Sequence, residues 1–452
     1  MSFGENIDEL IKKSTNGLHS AHPTWERVRI GEIASLVNGF AFKSNGFNET
    51  EGMPIVRIRD VTKGEPGTFY RGSIDDPKMT FIENGQIAIG MDGDFNCRVW
   101  RGGRALLNQR VCTLEAHEQF YSQQFLACAL PGYLKLINDH TSSVTVKHLS
   151  SLTVRDIAMP LPPLNEQHRI VEKIETLFAR LDKGEEALRD VQKLLARYRQ
   201  SVLKAAVTGK LTGSDPATWK SVTLGDLLED IRYGTAKKCR ADVEGVAVLR
   251  IPNVANGEID LRDLKYTQLN DREIRTLGLK KGDLLIVRSN GSANLVGRGA
   301  VVSDDAVGLA FAGYLIRLRL DRKRLVPDFL QLVLSSPVVR ARIERQARST
   351  SGVHNINSGE VKAIAFDLPP VDVQAQIIEL VDEHMEKTGD LEAWCQTELA
   401  RSAALRQSIL KDAFAGRLVP QDPTDEPAAA LLARIKETRA AAPGRTRRKA
   451  RA

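Results

Sequence analysis

The chain has 452 residues, of which 42% are hydrophobic and 27% charged, and its formal net charge is +7. That length is too great for one ordinary core and points to two to four domains, while the composition is that of a globular chain. No apolar run reaches the roughly 18 to 20 residues of a membrane span, and five scattered cysteines without a CxxC exclude a disulfide framework and fit reduced thiols in a cytoplasm.

The first 24 residues carry no basic stretch followed by an apolar one, so no secretion signal is expected and residues 1–24 form an N-terminal extension. From Trp25 to residue 160, short β-like runs (MPIVRIRDV, GQIAIGMDG) alternate with Gly, Asn and Asp turns and close on a helical patch, EQFYSQQFLACALPGYLKLI. This predicts a mixed α+β domain, electrically balanced at 15 basic and 15 acidic residues over 25–156. Residues 161–212 open on LPPLNEQHRIVEK, where Pro162 and Pro163 block helix and Asn165 can cap one. Ile170, Ile174, Leu177, Leu181, Leu188, Val191, Leu195 and Tyr198 then recur in steps of four and three, broken only by Gly184, as a heptad seam does. Gly209 offers a stop. About 43 helical residues make a rod of roughly 65 Å.

The pattern then repeats. Residues 219–367 again alternate β-like runs (VAVLRIPNV, GDLLIVRSNG) with turns and end on a helical patch, now with 24 basic against 17 acidic residues over 219–363. Residues 368–432 open on LPPVDVQAQIIEL, and Ile377, Val381, Leu391, Leu405 and Ile409 keep a seam that His384, Thr388, Glu398 and Ser402 interrupt. Both LPP entries, and the later QSVLKAAVTGKL and QSILKDAFAGRL, are 207 residues apart, whereas WERVRIGEI and WKSVTLGDL are 194 apart. The second copy therefore holds 13 extra residues, expected between Val254 and Ser358. A variable unit followed by a length-invariant one, twice, is an internal tandem repeat. The second helix is acidic where the first is mildly basic, which suggests an antiparallel pair, the alternative being that each packs on its own domain. Residues 433–452 carry eight basic residues and one acid and are expected to be a disordered tail, either simply solvated or in loose contact with phosphate.

Catalytic signatures fail when tested. LPPL and LPPV lack the polar and aromatic residues an amino-methyltransferase needs beside its prolines. KAAVTGKL has Lys204 and Leu211 where a phosphate loop needs Gly and Ser or Thr, and no GxGxxG follows a strand. The histidines stand singly, so no metal site is expected. A nuclease-like pairing of Asp328 with Glu360 and Lys362 is lost in the first copy, which has Thr153 at the place of Glu360. What remains is recognition. Arg57 and Arg59 in VRIRDV, and Arg250 and Asn253 in LRIPNV, take corresponding places, and the turns 92–104 and 288–299 carry Arg98, Arg101, Arg104, Arg288, Asn290 and Arg298. With Lys43, Lys237 and Lys238 these are candidate DNA-binding residues, since Arg reads guanine edges and Asn adenine. For any one of them the alternative is a solvated side chain, or an arginine paired with an acid such as Asp60.

LPPLNEQHRIVEKIETLFARLD, QSVLKAAVTGKL and the distal QSILKDAFAGRLVPQDPTDEPAAALLARI resemble the conserved regions of the specificity subunit of Type I restriction-modification systems. The resemblance runs from Trp25 to about Ile435, departing where VDVQAQIIELV replaces the Glu-Gln-x-Arg-Ile form of Glu166, Gln167, Arg169 and Ile170. It implies two target recognition domains in tandem, each followed by a long helix, the helices pairing as an antiparallel coiled coil. It implies further that each domain reads one half of a bipartite site in double-stranded DNA while the helices fix the spacing. The subunit would be non-catalytic and bind no cofactor. Two modification subunits using S-adenosylmethionine, and restriction/translocase subunits using ATP and Mg, would be its partners in the cytoplasm, with no membrane involved. A self-sufficient enzyme and a DNA-independent scaffold are the rival readings.

Overall fold

The computed structural model describes residues 7–13, 22–141, 146–347 and 353–441. The chain divides into two compact units, Met1–Glu186 with Leu399–Ala452, and Ala187–Glu398.

In the first unit an antiparallel sheet runs in the order Ala34–Asn38, Val111–Ala116, Ile87–Gly90, Cys97–Val99. The central strand Ile87–Gly90 is buried along its whole length, as strands covered on both faces are. A second sheet pairs Met53–Val56 with Ala105–Leu107 in parallel, and a two-stranded ribbon joins Glu26–Arg29 to Ala158–Leu161. The helix Gln123–His140, capped by Ser122, covers the main sheet with Phe125, Leu126, Leu130 and Tyr133. The second unit repeats this plan. Leu228–Tyr233, Leu315–Leu320, Leu284–Val287 and Gly299–Val301 form the antiparallel sheet, Val246–Leu249 pairs in parallel with Ala310–Phe311, and Lys220–Thr223 joins Ala365–Leu368. Gly39 and Gly234 recur where the main sheet meets the parallel pair. A Cβ there would collide with the carbonyl oxygens of Asn108 and Phe311, so only glycine fits.

Equivalent positions show where the second copy grows. Arg57 and Arg250 are 193 apart, Ile87 and Leu284 197, Val111 and Leu315 204, and Gln167 and Gln374 207. The extra residues therefore enter in three stretches of the second domain rather than in one insertion, the first of them holding the helix Asp271–Leu277.

The first long helix spans Leu164–Ala206 and the second Val371–Phe414. The first starts one residue before Asn165, which therefore lies inside the helix and is not its cap. A buried glutamine secures each start. Gln167 Oε1 accepts from the Ser122 backbone N–H at 2.8 Å, and its Nε2 donates to the carbonyls of Pro162 and Phe120 at 2.9 and 3.3 Å. Gln374 repeats the set with the N–H of Val326 and the carbonyls of Pro369 and Arg324, at 2.8, 2.9 and 2.8 Å. Both side chains are fully buried.

The helices pair antiparallel. In the first unit Glu185 accepts from Ser402 Oγ at 2.8 Å and, with Asp182, from the Arg406 guanidinium. In the second unit Arg199 donates to Thr388 and Glu392, each at 2.9 Å. Each core takes in the start of one helix and the end of the other: Ile170, Ile174, Ala413 and Phe414 in the first unit, Val202, Ala206, Ile377 and Val381 in the second.

The seam is narrower than expected. Leu195 is buried and Leu177, Leu181, Leu188 and Ile409 are partly buried; Val191, Leu391 and Leu405 are 37 to 47% exposed, and Tyr198, though 44% exposed, meets His384 of the other helix with its hydroxyl 2.9 Å from Nδ1. Thr388 and Ser402, expected to interrupt the seam, are buried in one heptad column with Val381 and Cys395. Small polar side chains hide that column from a hydrophobic count. The last helix, Ala428–Ala441, crosses the boundary at Ala433 where a disordered tail was expected, because Leu431 and Ile435 bury against the first domain. Residues 442–452 of that tail lie outside the described residues.

Candidate nucleic-acid interface

In the second domain a cleft of about 820 Å³ opens beside the ends of Leu228–Tyr233 and Leu284–Val287. Lys237, Lys238, Arg250, Lys265 and Arg288 line it with Tyr233 and Tyr314, and no acidic residue does. The strand ends explain the placement: each strand delivers one side chain from the sheet edge into a turn. Arg288 follows the fully buried Leu284–Val287, and its guanidinium stacks on Tyr233 at 4.4 Å from the ring centroid. Tyr233 is itself held by a hydrogen bond that its hydroxyl accepts from Ser358 N–H at 2.8 Å. Arg250 donates to the carboxylate and the carbonyl of Asp263 at 2.6 and 2.8 Å. The Nε atoms of Arg250 and Arg288 are both buried without a hydrogen-bond partner. Lys237 pairs with Glu273 at 2.7 Å. Tyr314 is 64% exposed.

Other candidates fall differently. Asn253 is buried, accepts from the Arg250 backbone N–H at 2.8 Å and donates to the carbonyls of Asp260 and Asp263, so its amide is spent on the turn. The expectation that it reads adenine is corrected. Asp60 does the same work in the first domain, accepting from the N–H groups of Arg57 and Gly67 at 2.9 and 3.2 Å. Asn290 accepts from Ser292 N–H at 2.9 Å, and Arg298 donates to the Asn294 carbonyl at 2.8 Å, outside the cleft lining.

In the first domain Arg57 lies over Phe47 at 5.4 Å, at the place of Arg250. Arg59 bonds Thr68 at 2.7 Å, and Arg98 bonds the Thr62 carbonyl at 2.8 Å. Arg104 pairs with Glu83 at 3.3 Å and lies over Phe81. Lys43 and Arg101 are exposed. The turn that starts at Asp92 is held by His148, whose Nδ1 lies 2.6 Å from Asp92, by Arg110 at 3.5 Å, and by Asn138, which donates to the Gly93 carbonyl. Phe95 adopts φ +53 there, the one non-glycine residue with positive φ among the described residues, and its buried ring offsets the strain. Met91, Arg110 and Asn38 take the places of Arg288, Tyr314 and Tyr233.

Sequence reasoning missed Tyr233, Lys265, Tyr314 and Arg110. Tyr233 closes the strand Leu228–Tyr233 and Tyr314 precedes Leu315–Leu320, places that a search for charged turn residues does not mark. Among the described residues no group of three or more His, Cys, Asp or Glu could hold a metal, and no helix is long and apolar enough to cross a membrane. Burial pushes the Cys97 and Cys112 thiols up to about 12, which leaves both protonated and unreactive at neutral pH.

The family model for the Type I restriction modification DNA specificity domain matches residues 23–189. The specificity subunit of the Type I restriction enzyme EcoBI from Escherichia coli is 37% identical over 98% of both chains. The chain belongs to the specificity subunits of Type I restriction enzymes. Its similarity to the EcoKI specificity subunit of Escherichia coli strain K12 is 28%, over 93% of this subunit and 97% of that one. A chain solved in work on complex assembly and conformational transition of the type I R-M system shares the subunit's fold, with a TM-score of 0.69, 20% identity and coverage of 88% and 99%. So does the HsdS subunit from Thermoanaerobacter tengcongensis, with a TM-score of 0.54, 21% identity and coverage of 88% and 98%. As a specificity subunit this chain is the DNA-recognising, non-catalytic component of a restriction-modification enzyme, and its partners are DNA and the other subunits of that enzyme.

Proposed function

We propose that the second-domain cleft holds one half of a bipartite duplex site and the surface around Arg57 in the first domain holds the other. The observation that carries this is the cleft itself: five basic side chains, two tyrosines and no acid, gathered at strand ends whose equivalents recur in the first domain. Basic residues there would neutralise phosphates, and the cleft's size admits groove-edge contacts. The paired helices would fix the distance between half-sites, as a rod joining two reading heads does. Exposed apolar residues on the helix pair in the second unit, Val191, Leu194 and Tyr198 on one helix and Leu391 and Trp394 on the other, support docking of two modification subunits there. S-adenosylmethionine, ATP and Mg would be bound by the modification and restriction/translocase subunits, and the assembly would work in the cytoplasm.

Mapping methylated adenines genome-wide with and without this gene tests the reading. One bipartite motif should vanish with the gene, and Lys238→Glu with Lys265→Glu should disturb only one of its halves. The purified chain, given labelled S-adenosylmethionine and plasmid, should transfer no label; transfer would favour a self-sufficient enzyme. A reconstituted complex without sequence preference would favour a scaffold that never reads DNA.

A further inference from the structure

We infer that Arg288 selects a guanine in the half-site read by the second domain, while Arg250, the counterpart of Arg57, grips the duplex backbone. The inference rests on the cleft's being the reading site and says which group does what within it. The two domains share a backbone hydrogen-bond frame around the cleft. The backbone N–H groups of Arg57 and Arg250 are capped by Asp60 and Asn253. Met91 and Arg288 each donate their N–H to the carbonyl of the residue across the sheet, Arg110 or Tyr314, at 3.0 and 2.8 Å. Their own carbonyls accept from Leu149 and Ile356 at 2.7 and 2.9 Å.

Within this common frame an arginine is constant at one position, and the side chains at the other two change, Met91 to Arg288 and Arg110 to Tyr314. Two half-sites share a sugar-phosphate backbone and differ in their bases. A group common to both domains suits what the half-sites share, and groups that differ suit what distinguishes them. Arg288 has the geometry of a reader. Its guanidinium plane is fixed against Tyr233, and Tyr233 is fixed by Ser358. A planar fork held still matches the O6 and N7 acceptors of guanine. Arg250 is tethered to Asp263 and to its own turn, which fixes its reach.

The test uses the complex reconstituted with its modification subunits. Methylated-adenine mapping should show a G·C pair in the half-site that Lys238→Glu with Lys265→Glu disturbs. Arg288→Met, which installs the first domain's residue, should make that pair degenerate, with discrimination falling about tenfold to a hundredfold, and leave the other half-site and the spacer intact. Arg288→Lys keeps the charge and loses the fork, and should relax the same pair. Arg250→Ala should weaken binding to all duplexes alike and lower the salt slope by about one. Uniform weakening by both Arg288 variants with an unchanged motif would overturn the assignment and leave the cleft in place. A second half-site without any G·C pair would also overturn it. If the lysine reversals themselves leave both half-sites unchanged, the cleft is not the reading site.

Discussion

Gln167 and Gln374 each saturate three backbone groups that no other side chain satisfies in the same place. Leucine at either position would fit the volume and strand a buried N–H and two carbonyls. A buried unsatisfied polar group costs about 1–3 kcal/mol, so Gln374→Leu should lower the urea midpoint of the second unit substantially more than a neighbouring exposed substitution such as Gln376→Leu. The paired tryptophans differ in a way that chemistry explains. Trp25 Nε1 donates to Glu166 at 3.0 Å, and Glu166 also accepts from Gln421. Val373 stands at the place of Glu166 in the second copy, and Trp219 Nε1 is buried with no partner. Trp25→Phe should therefore destabilise more than Trp219→Phe, by about 1–3 kcal/mol in equilibrium unfolding. Burial raises the Glu166 carboxyl above its ordinary 4.5, against the lowering effect of its Gln421 and Trp25 donors. A carboxyl raised in the folded state stabilises below its unfolded value and loses that contribution as pH rises through the folded value. The melting temperature of the native chain should thus fall relative to Glu166→Gln as pH climbs from 4.5 toward neutrality.

At the level of elements, the helix pair joins apolar ends to a polar middle. Arg406 and Glu185 are only 24% and 16% exposed, so their pairing is not of the weak surface kind. A double-mutant cycle with Arg406→Ala and Glu185→Ala should give a coupling of about 0.5–3 kcal/mol, the range for residues sharing one network; additivity would assign the pairing no role. The two long helices were legible because prolines and a repeated entry announce them, and the 207-residue offset needs no structure. Their facing was legible in part, since Ile170, Ile174, Leu195, Ile377 and Val381 are buried as the seam required. Period 3.5 picked Val191 and Leu391, which are exposed, while Thr388 and Ser402, read as interruptions of the seam, are buried within it. The recognition turns were half legible. Arg250 and Arg288 reach the cleft, but Asn253 stands three residues after Arg250 as Asp60 does after Arg57, a cap spacing that marks a turn-former rather than a reader.

For the molecule as a whole, two domains of one plan sit at different charge. The basic excess of the second domain gathers partly at its cleft, and the first domain places Met91 and Asn38 where the second has Arg288 and Tyr233. Removing one heptad from both long helices should shorten the unread spacer in the methylation motif and leave both half-site sequences as they were. A change in the half-sites themselves would mean that the helices do not act as the ruler.

The glutamine latches bear on how such a chain can change over generations. The hydrogen bonds that each latch makes to the recognition domain go to main-chain N–H and C=O groups, at Phe120 and Ser122 in one case and Arg324 and Val326 in the other. Main-chain groups are the same whatever the side chains are. A foreign recognition domain that presents the same short bend would engage the latch whatever side chains that bend carries. The latch itself is indifferent to the cargo's side chains, and what a new domain must still match is the apolar packing of Ile170 and Ile174.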